Sequence, residues 1–310
     1  MTTSKSPKKV ALTAYEAAKQ AIPLYSHRFS PKKFNQPQLI ACLVLKEFFK
    51  ADFRGISSII QDSHDIQGVL ELTVVPHFTT LQKASRKLLS KNTNRKLIAA
   101  ILSVARKKHL ITNRGMLAAI DGTGFESHHV STYFVQRRDR EVKEKYQTTT
   151  YSRFPKAGIA CDTKSHLILA GVPGRGPSPD QWHYKEILKE MTVQAKITTL
   201  LADAGYDGEA NHVLARETYG MRSIIPPRIG RPTLKLPKGR YRRLMAVHFN
   251  KKLYGQRWQV ETVNSMLKRN LGSFLRARTY WTQCKEIMLR LFTHNVTIVL
   301  RQKLYIPWGC

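Results

Sequence analysis

The chain has 310 residues, 42% of them apolar and 24% charged, which indicates a folded protein of one large or two modest domains and excludes a disordered chain. Its 52 basic residues outnumber its 21 acidic ones and give a formal net charge of +31. Such an excess repels itself unless an anionic partner lies against it, and the usual partner is nucleic acid.

Residues 1–36 and 37–112 have different patterns. The first segment is basic and is interrupted by Pro23 and Pro31, which predicts a flexible arm. The second carries apolar side chains at helical spacing and predicts a helical DNA-binding region. Its short helices, the last of them basic, are compatible with a helix-turn-helix-like reader of DNA, but a plain helical packing domain fits equally well.

From residue 113 the pattern changes to that of an α/β domain. Five short apolar runs predict strands, at residues 115–121, 157–162, 166–172, 196–203 and 221–226. The second and third form a predicted β-hairpin, and helical patterns separate the later strands. A long helix is predicted at 284–303. This order predicts a mixed β-sheet flanked by helices.

Two of the predicted strands end in an aspartate, Asp121 and Asp203. Open α/β sheets build their sites at the carboxyl ends of strands, so we expect these side chains to lie close together.

A strongly basic segment precedes a lone glutamate. Between Glu217 and Glu261 the chain has no acidic residue and eleven basic ones. We expect residues 227–250 to form a basic insertion in the α/β domain. Three of its arginines are predicted to contact DNA: Arg240, Arg242 and Arg243.

The stretch YGQRWQVETVNSMLK, which begins at Tyr254, predicts a helix in which Arg257 and Glu261 are i, i+4 neighbours. Tyr254 and Lys268 lie close to the same face, and an adjoining apolar stripe would dock the helix on the sheet. Taken alone, the pattern also fits an ordinary surface ion pair worth about 0.3–0.5 kcal/mol.

Asp121, Asp203 and Glu261 together suggest a metal site. Three unpaired carboxylates in a small volume repel one another, and a divalent cation removes that repulsion. Ligation by oxygen alone favours Mg²⁺, with Mn²⁺ able to substitute. Two such ions, about 3.5–4 Å apart, can activate a water or a 3′-hydroxyl for in-line attack on a phosphodiester. The basic surroundings would hold DNA over the ions.

The order of the three acids resembles that of the DDE transposases of prokaryotic insertion sequences. More narrowly, four residues reproduce the spacing Tyr-x2-Arg-x3-Glu-x6-Lys, which marks the insertion-sequence-four group: Tyr254, Arg257, Glu261 and Lys268. The stretches AIDGTGFE and LADAGYDG, which contain Asp121 and Asp203, are similar to the family's strand-then-aspartate motifs. The resemblance spans about residues 115–305.

The resemblance implies a ribonuclease-H-like catalytic domain, here residues 113–310, that hydrolyses DNA at the element ends and transfers the freed 3′-hydroxyls to target DNA. It makes Asp121, Asp203 and Glu261 the metal ligands. It implies that Arg257 and Lys268 contact DNA phosphate and that Tyr254 positions the transferred end. It also gives the N-terminal region a role in binding terminal inverted repeats, and it implies a homodimer when two ends are paired.

Several further side chains have ordinary structural explanations. Asp207 is predicted to cap or orient a helix, and Asp180 to cap another. An alternative for Asp180 is to support the site together with His183. The adjacent histidines at 128–129 would point to opposite faces of a strand and are assigned structural or DNA-facing roles. Trp258 is predicted to pack in the core rather than to stack on a base.

Neither a membrane nor a structural metal centre is indicated. No apolar run reaches the roughly 18 residues of a membrane span, and the N-terminal residues lack the apolar core of a signal peptide. The four cysteines are far apart and form no CxxC pair, which argues against a zinc ribbon or a disulfide framework: Cys42, Cys161, Cys284 and Cys310. We expect a cytoplasmic, nucleoid-associated protein.

The sequence therefore predicts a metal-dependent DNA transposase. Two alternatives remain open at this point. One is a ribonuclease-H-like nuclease that cuts without strand transfer, and the other is a catalytically silent, domesticated DNA-binding protein.

Overall fold

The computed structural model describes residues 4–112, 115–127, 153–227 and 236–300. The chain divides into two compact units. Unit 1 comprises Met1–Arg114, Ser165–Ile168 and Leu289–Cys310, and unit 2 comprises Gly115–Lys164 and Leu169–Met288. The histidines at 128–129 and part of the predicted basic insertion, residues 228–235, lie outside the described residues.

Unit 1 is helical. Its helices are α1 Pro7–Ala21, α2 Gln36–Phe48, α3 Phe53–Gln61, α4 His64–Val69, α5 Phe78–Leu88 and α6 Lys91–Lys107. A capping box begins α2, since Asn35 accepts a hydrogen bond from the backbone of Gln38 and the Gln38 side chain accepts one from the backbone of Asn35. The predicted basic helix is α5, and its role as a DNA reader remains a prediction.

The flexible arm predicted for residues 1–36 is wrong for residues 7–21. Ser6 caps α1 by accepting a hydrogen bond from the backbone of Lys9, and Pro7 suits the first turn. One side of the helix is buried, at Val10, Ala11, Ala14, Tyr15, Ala17 and Ala18. Four of these six are alanines, whose weak hydrophobicity hid the helical period in a basic sequence.

A buried ion cluster lies in unit 1. The carboxylate of Glu47 is 2.6 Å from Nζ of Lys46 and 3.0 Å from Nε of Arg290, and all three side chains are buried. Burial alone would raise the pKa of Glu47, but the two cations outweigh it and hold that pKa below its usual range. Glu47 is therefore ionised, and each charge depends on its partners.

Removing one of these partners should be costly. We expect Arg290→Met to lower the free energy of unfolding by about 3–5 kcal/mol, because it leaves part of a buried charge uncompensated. Asp65→Asn is the control, since Asp65 pairs with Lys8 on the exposed surface, where such a pair contributes less than about 1 kcal/mol. Urea unfolding measures both, and equal losses would contradict the buried cluster.

Unit 2 is built on a five-stranded sheet. The strands are β1 Met116–Gly124, β2 Phe154–Asp162, β3 Ile168–Gly176, β4 Ile197–Ala202 and β5 Arg222–Ile224, in the order β3-β2-β1-β4-β5. β1 is antiparallel to β2 and parallel to β4, which is parallel to β5. The link between β2 and β3 is too short for a parallel crossover, so this pair is antiparallel. The predicted fold class, a ribonuclease-H-like mixed sheet flanked by helices, is confirmed.

The remaining helices are α7 Gln181–Gln194, α8 Glu209–Val213, α9 Arg240–Val247, α10 Lys251–Tyr254, α11 Trp258–Leu271 and α12 Tyr280–Val299. Short 3-10 turns lie at Ala204–Tyr206 and Gly255–Arg257, and a π-helical turn at Leu214–Thr218. No helix among the described residues combines the length and apolarity needed to cross a bilayer.

Candidate active site

The pairing of β1 with β4 brings Asp121 and Asp203 to neighbouring positions. The last parallel pair joins Ile120 to Ala202, so each aspartate directly follows it on its own strand. β1 continues to Gly124 because β2 runs alongside it, so the predicted end of this strand at residue 121 is three residues too early. The juxtaposition itself is as predicted.

Each of these aspartates accepts a hydrogen bond from a neutral donor. Oδ1 of Asp203 accepts one from the backbone N–H of Gly205 at 2.8 Å, which starts the 3-10 turn. Oδ2 of Asp121 accepts one from Nδ2 of Asn264 at 3.1 Å. Asn264 lies on α11, so the helix of the YGQRWQVETVNSMLK stretch is docked against the strand that carries Asp121.

The Asp121 carboxyl has a perturbed pKa. The pKa is raised to about 6: burial is the largest cause, the charges of Asp203 and Asp180 add to it, and the backbone N–H of Gly122 and the charge of Arg257 oppose it. The carboxyl therefore ionises only at a cost. A cation placed beside it would remove that cost.

Asp180 is a third acid at this edge of the sheet. A Cβ on Gly122 would come within 2.3 Å of Oδ1 of Asp180, so glycine at that position allows the carboxylate to lie against β1. Lys156 neutralises Asp180, with its Nζ 2.5 Å from Oδ1, and also donates to the carbonyl of Ser178 at 2.9 Å. Asp180 makes no side-chain cap to α7, so that prediction is wrong: its carboxylate pairs with Lys156 instead.

The stretch that begins at Tyr254 is helical, with a 3-10 turn between α10 and α11. Arg257 and Glu261 form the predicted i, i+4 ion pair. The pKa of Arg257 is raised by Glu261, Tyr254 and Asp121 against the opposing effect of burial. Its guanidinium thus interacts with both Glu261 and Asp121. Burial raises the pKa of Tyr254, with Asp203 and Glu261 adding to the effect.

The structure therefore brings together only two of the three predicted metal ligands, Asp121 and Asp203. Asp121, Asp203 and Asp180 share one edge of the sheet, whereas the carboxylate of Glu261 is about half exposed and pairs with Arg257. Within the described part of the chain, no three carboxylate, imidazole or thiolate groups are close enough to bind one ion. Lys268 lies two turns beyond Glu261 on α11 and is partly exposed.

The donor set nevertheless suits a divalent cation. Asp121 and Asp203 offer hard carboxylate oxygens with mutually unfavourable charge, and Mg²⁺ or Mn²⁺ prefers such ligands. Glu261 lies on α11, the helix that Asn264 docks against the strand of Asp121.

Asp207 orients a basic helix. Its carboxylate is buried. Nε of Arg242 donates to Oδ1 at 3.0 Å and to Oδ2 at 2.9 Å, and Nη2 of Arg242 is 2.7 Å from Oδ2. The Glu209 carboxylate accepts hydrogen bonds from the backbone N–H groups of Tyr241 and Arg242, both at 3.0 Å. It therefore caps the N-terminus of α9, although it belongs to a different helix. The orienting role predicted for Asp207 agrees with this contact. We call these contacts the acidic clasp.

The predicted DNA contacts in α9 differ in their surroundings. Arg240 and Arg243 are exposed, whereas Arg242 is partly exposed and pairs with the buried carboxylate of Asp207. Sequence reasoning missed Glu209, which lies more than thirty residues before the backbone groups that it contacts, so no local spacing indicated it. Trp258 is 55% exposed, so the prediction that it packs in the core is wrong, because Val260 and Val263 take the buried face of α11.

Comparison with known proteins identifies one family. A family model described as the transposase DDE domain matches residues 113–296. Among solved structures, the chain is similar to a cryo-EM structure of a piggyBac transposase synaptic complex with hairpin DNA, with a TM-score of 0.45 and 10% sequence identity, covering 94% of this chain and 71% of that chain. No curated protein sequence matches the chain at a significant level.

The raised pKa of Asp121 predicts a pH-dependent stability. The folded state holds the Asp121 proton up to about pH 6, whereas the unfolded chain releases it near the ordinary value of 3.8, so stability falls as the pH rises through this interval. Asp121→Asn removes that loss. In EDTA, we expect the variant's advantage over wild type to grow from pH 4 to pH 7 and reach on the order of 1–3 kcal/mol. Urea unfolding at several pH values measures it, and a difference independent of pH would contradict the shift.

The acidic clasp predicts local order in α9. We expect Asp207→Asn to increase amide hydrogen exchange across residues 240–247 by about tenfold or more, because it weakens hydrogen bonds to a charged, buried partner. Tyr241→Phe is the matched control, since it removes only the exposed hydrogen bond to Glu217. Equal exchange in the two variants would show that Asp207 does not hold the helix.

Proposed function

The chain belongs to the transposase DDE-domain family, and from that premise we propose that it cuts DNA at the ends of its mobile element and transfers the 3′-hydroxyl ends to target DNA. The observation that carries the proposal is the pairing of β1 with β4, which puts Asp121 and Asp203 side by side next to the helix of Glu261. The spacing of Tyr254, Arg257 and Glu261 supports membership of the insertion-sequence-four group.

We assign the metal ligands to Asp121, Asp203 and Glu261. They would hold two Mg²⁺ ions, for which Mn²⁺ can substitute. When bound, such ions activate a water or a 3′-hydroxyl and stabilise the leaving oxygen of an in-line displacement. The protein's own contribution is to fix two carboxylates on a rigid sheet and to bring the third from an adjacent helix.

Arg257 gives the site a substrate-dependent step. Its guanidinium interacts with Glu261 and with Asp121, and it matches the geometry of a phosphate as well as that of a carboxylate. A DNA phosphate that takes Arg257 would release Glu261 to turn towards the two aspartates. The third ligand would then be completed only when DNA is present.

Other basic residues are assigned to DNA. Lys268 follows Glu261 on α11 and would contact phosphate, and Tyr254 would position the transferred end. Arg240 and Arg243 are exposed on α9 and would extend the phosphate contacts, with Arg242 retained in the acidic clasp. Terminal inverted repeats would be bound by the helices of the N-terminal region, and two ends would be paired by a homodimer.

Cleavage of supercoiled plasmid carrying the element ends tests the assignment of Glu261. We expect wild type to nick and linearise the plasmid with Mg²⁺ or Mn²⁺, and Glu261→Gln to lose at least 100-fold of the rate while still binding the ends, because a neutral amide is a far weaker ligand. Glu217→Gln, an exposed acid in the same unit, is the control. Equal cutting by wild type and Glu261→Gln would overturn the assignment.

Two further assays with the wild-type protein distinguish a transposase from a nuclease and from a catalytically silent DNA-binding protein. A precleaved end with a free 3′-hydroxyl should be joined to target DNA by a transposase, whereas a nuclease would cut the plasmid and leave such ends unjoined. A silent DNA-binding protein would bind the ends in EDTA and cut with neither metal.

Binding in EDTA tests the assignment of Arg257 to phosphate. We expect Arg257→Ala to reduce the slope of log affinity against log salt for end DNA by about 1, because one phosphate contact and its counterion are lost. Lys164→Ala is the matched control, since Lys164 is exposed in the turn after β2, at the opposite end of β1 from Asp121. The same slope in both variants as in wild type would contradict a phosphate contact by Arg257.

A further inference from the structure

Beside the carboxylates, unit 2 has an open groove with a volume of about 490 Å³. Five of its lining residues carry the argument: Arg175, Trp182, His183, Tyr280 and Trp281. We call it the aromatic groove. Trp182 and His183 belong to the first turn of α7, and Tyr280 and Trp281 to the first turn of α12, so the positive ends of two helix dipoles also lie on this side.

The tryptophans of the groove are exposed to an unusual extent. Trp182 is 75% exposed and Trp281 is 74% exposed. Two indoles left in water along one concave surface are costly unless a partner covers them, and such surfaces mark interaction sites. Neither side chain contributes to the core, so folding does not account for them.

Arg175 stacks on Tyr280 in an orientation that leaves its N–H donors free to bind an anion. Its guanidinium carbon is 4.0 Å from the centroid of the Tyr280 ring, and the rings of Tyr280 and Trp281 are 5.3 Å apart and nearly edge to face. A guanidinium stacked on a ring keeps its N–H donors at the edge, where a phosphate can reach them. The groove thus combines flat apolar surfaces with a fixed cation.

The groove adjoins the candidate active site. Its residues Trp182 and His183 directly follow Asp180 and Gln181, and Asp180 lies against Gly122 beside Asp121. The His183 ring packs on Gly174, where a Cβ would come within 2.4 Å of it, so β3 and the start of α7 form one continuous wall. A strand that passes the carboxylates would therefore reach the aromatic groove next.

We infer that the aromatic groove binds unpaired nucleotides of a single-stranded DNA segment adjoining the cleavage site, an inference that rests on the proposed function. Base faces are available for stacking on Trp182 and Trp281 only when they are unpaired, and the adjacent phosphate would meet Arg175. A duplex hides those faces. The cavity volume suits one or two nucleotides rather than a double helix.

The test measures binding and not cutting. The probes are a fluorescein-labelled single-stranded oligonucleotide of twelve thymidines and a duplex of the element end, both titrated in EDTA. We expect the double variant Trp182→Ala/Trp281→Ala to bind the single strand at least tenfold more weakly, with duplex binding changed by less than about twofold. Trp182→Phe/Trp281→Phe should retain most of the affinity because it retains stacking surfaces.

Val193→Ala is the matched control, since Val193 is 63% exposed on the same helix, far from the groove, and should leave both affinities unchanged. A second readout uses the unaltered protein: photocrosslinking of an oligonucleotide containing 5-iododeoxyuridine should map to Trp182, Tyr280 or Trp281. Crosslinks elsewhere would overturn the inference. So would an equal loss of single-strand and duplex binding, or no loss at all, which would point to a protein partner for the groove.

The two proposals can fail separately. Because binding is measured in EDTA, loss of single-strand affinity in the double variant would support the groove whether or not Glu261→Gln abolishes cutting. Conversely, if the groove binds no single-stranded DNA, the plasmid cleavage assay still tests the proposed function, because that assay depends on Glu261 and not on the groove.

Discussion

The repulsion between two carboxylates fixed at neighbouring positions by the β1–β4 pairing is the constraint on which the rest of the site depends. Backbone hydrogen bonds between the strands set the register, so Asp121 and Asp203 cannot move apart without disturbing the sheet. Burial adds more to the cost of the Asp121 charge than this repulsion does, and together they raise the pKa of Asp121 to about 6. A sheet that only needed stability would have no reason to hold acids there.

The surrounding acids have charged partners, whereas the two central aspartates accept hydrogen bonds from neutral donors. Asp180, Asp207 and Glu261 each pair with a cation, respectively Lys156, Arg242 and Arg257. Asp121 and Asp203, by contrast, accept hydrogen bonds from the neutral donors Asn264 and Gly205. In the proposed site a bound cation would balance the charge of the two central aspartates, while the outer pairs fix the loops and helices around them. Of these three acids Glu261 is the most exposed, at 53%, whereas Asp180 is 29% exposed and Asp207 1%.

How much of this could be predicted depended on how local the signals were. The strands, the aspartates and the Arg257–Glu261 pair follow from spacings of a few residues, and the structure has them. Helix α1 was missed because alanines form most of its buried face. The acidic clasp joins Asp207 and Glu209 to residues more than thirty positions away, and the aromatic groove joins α7 to α12 across about a hundred residues. Contacts at such separations depend on how the elements are arranged in the fold, and the hydrophobic periodicity of a sequence predicts only local structure.

The most direct test of the central claim is to count bound Mn²⁺ by electron paramagnetic resonance, with and without DNA of the element end. If the two aspartates and Glu261 form the metal site, wild type should bind Mn²⁺ more tightly with DNA than without it. Asp203→Asn should lose binding in both conditions, and Glu261→Gln should lose mainly the increase caused by DNA. Mn²⁺ binding that is the same in wild type and Asp203→Asn would contradict the account.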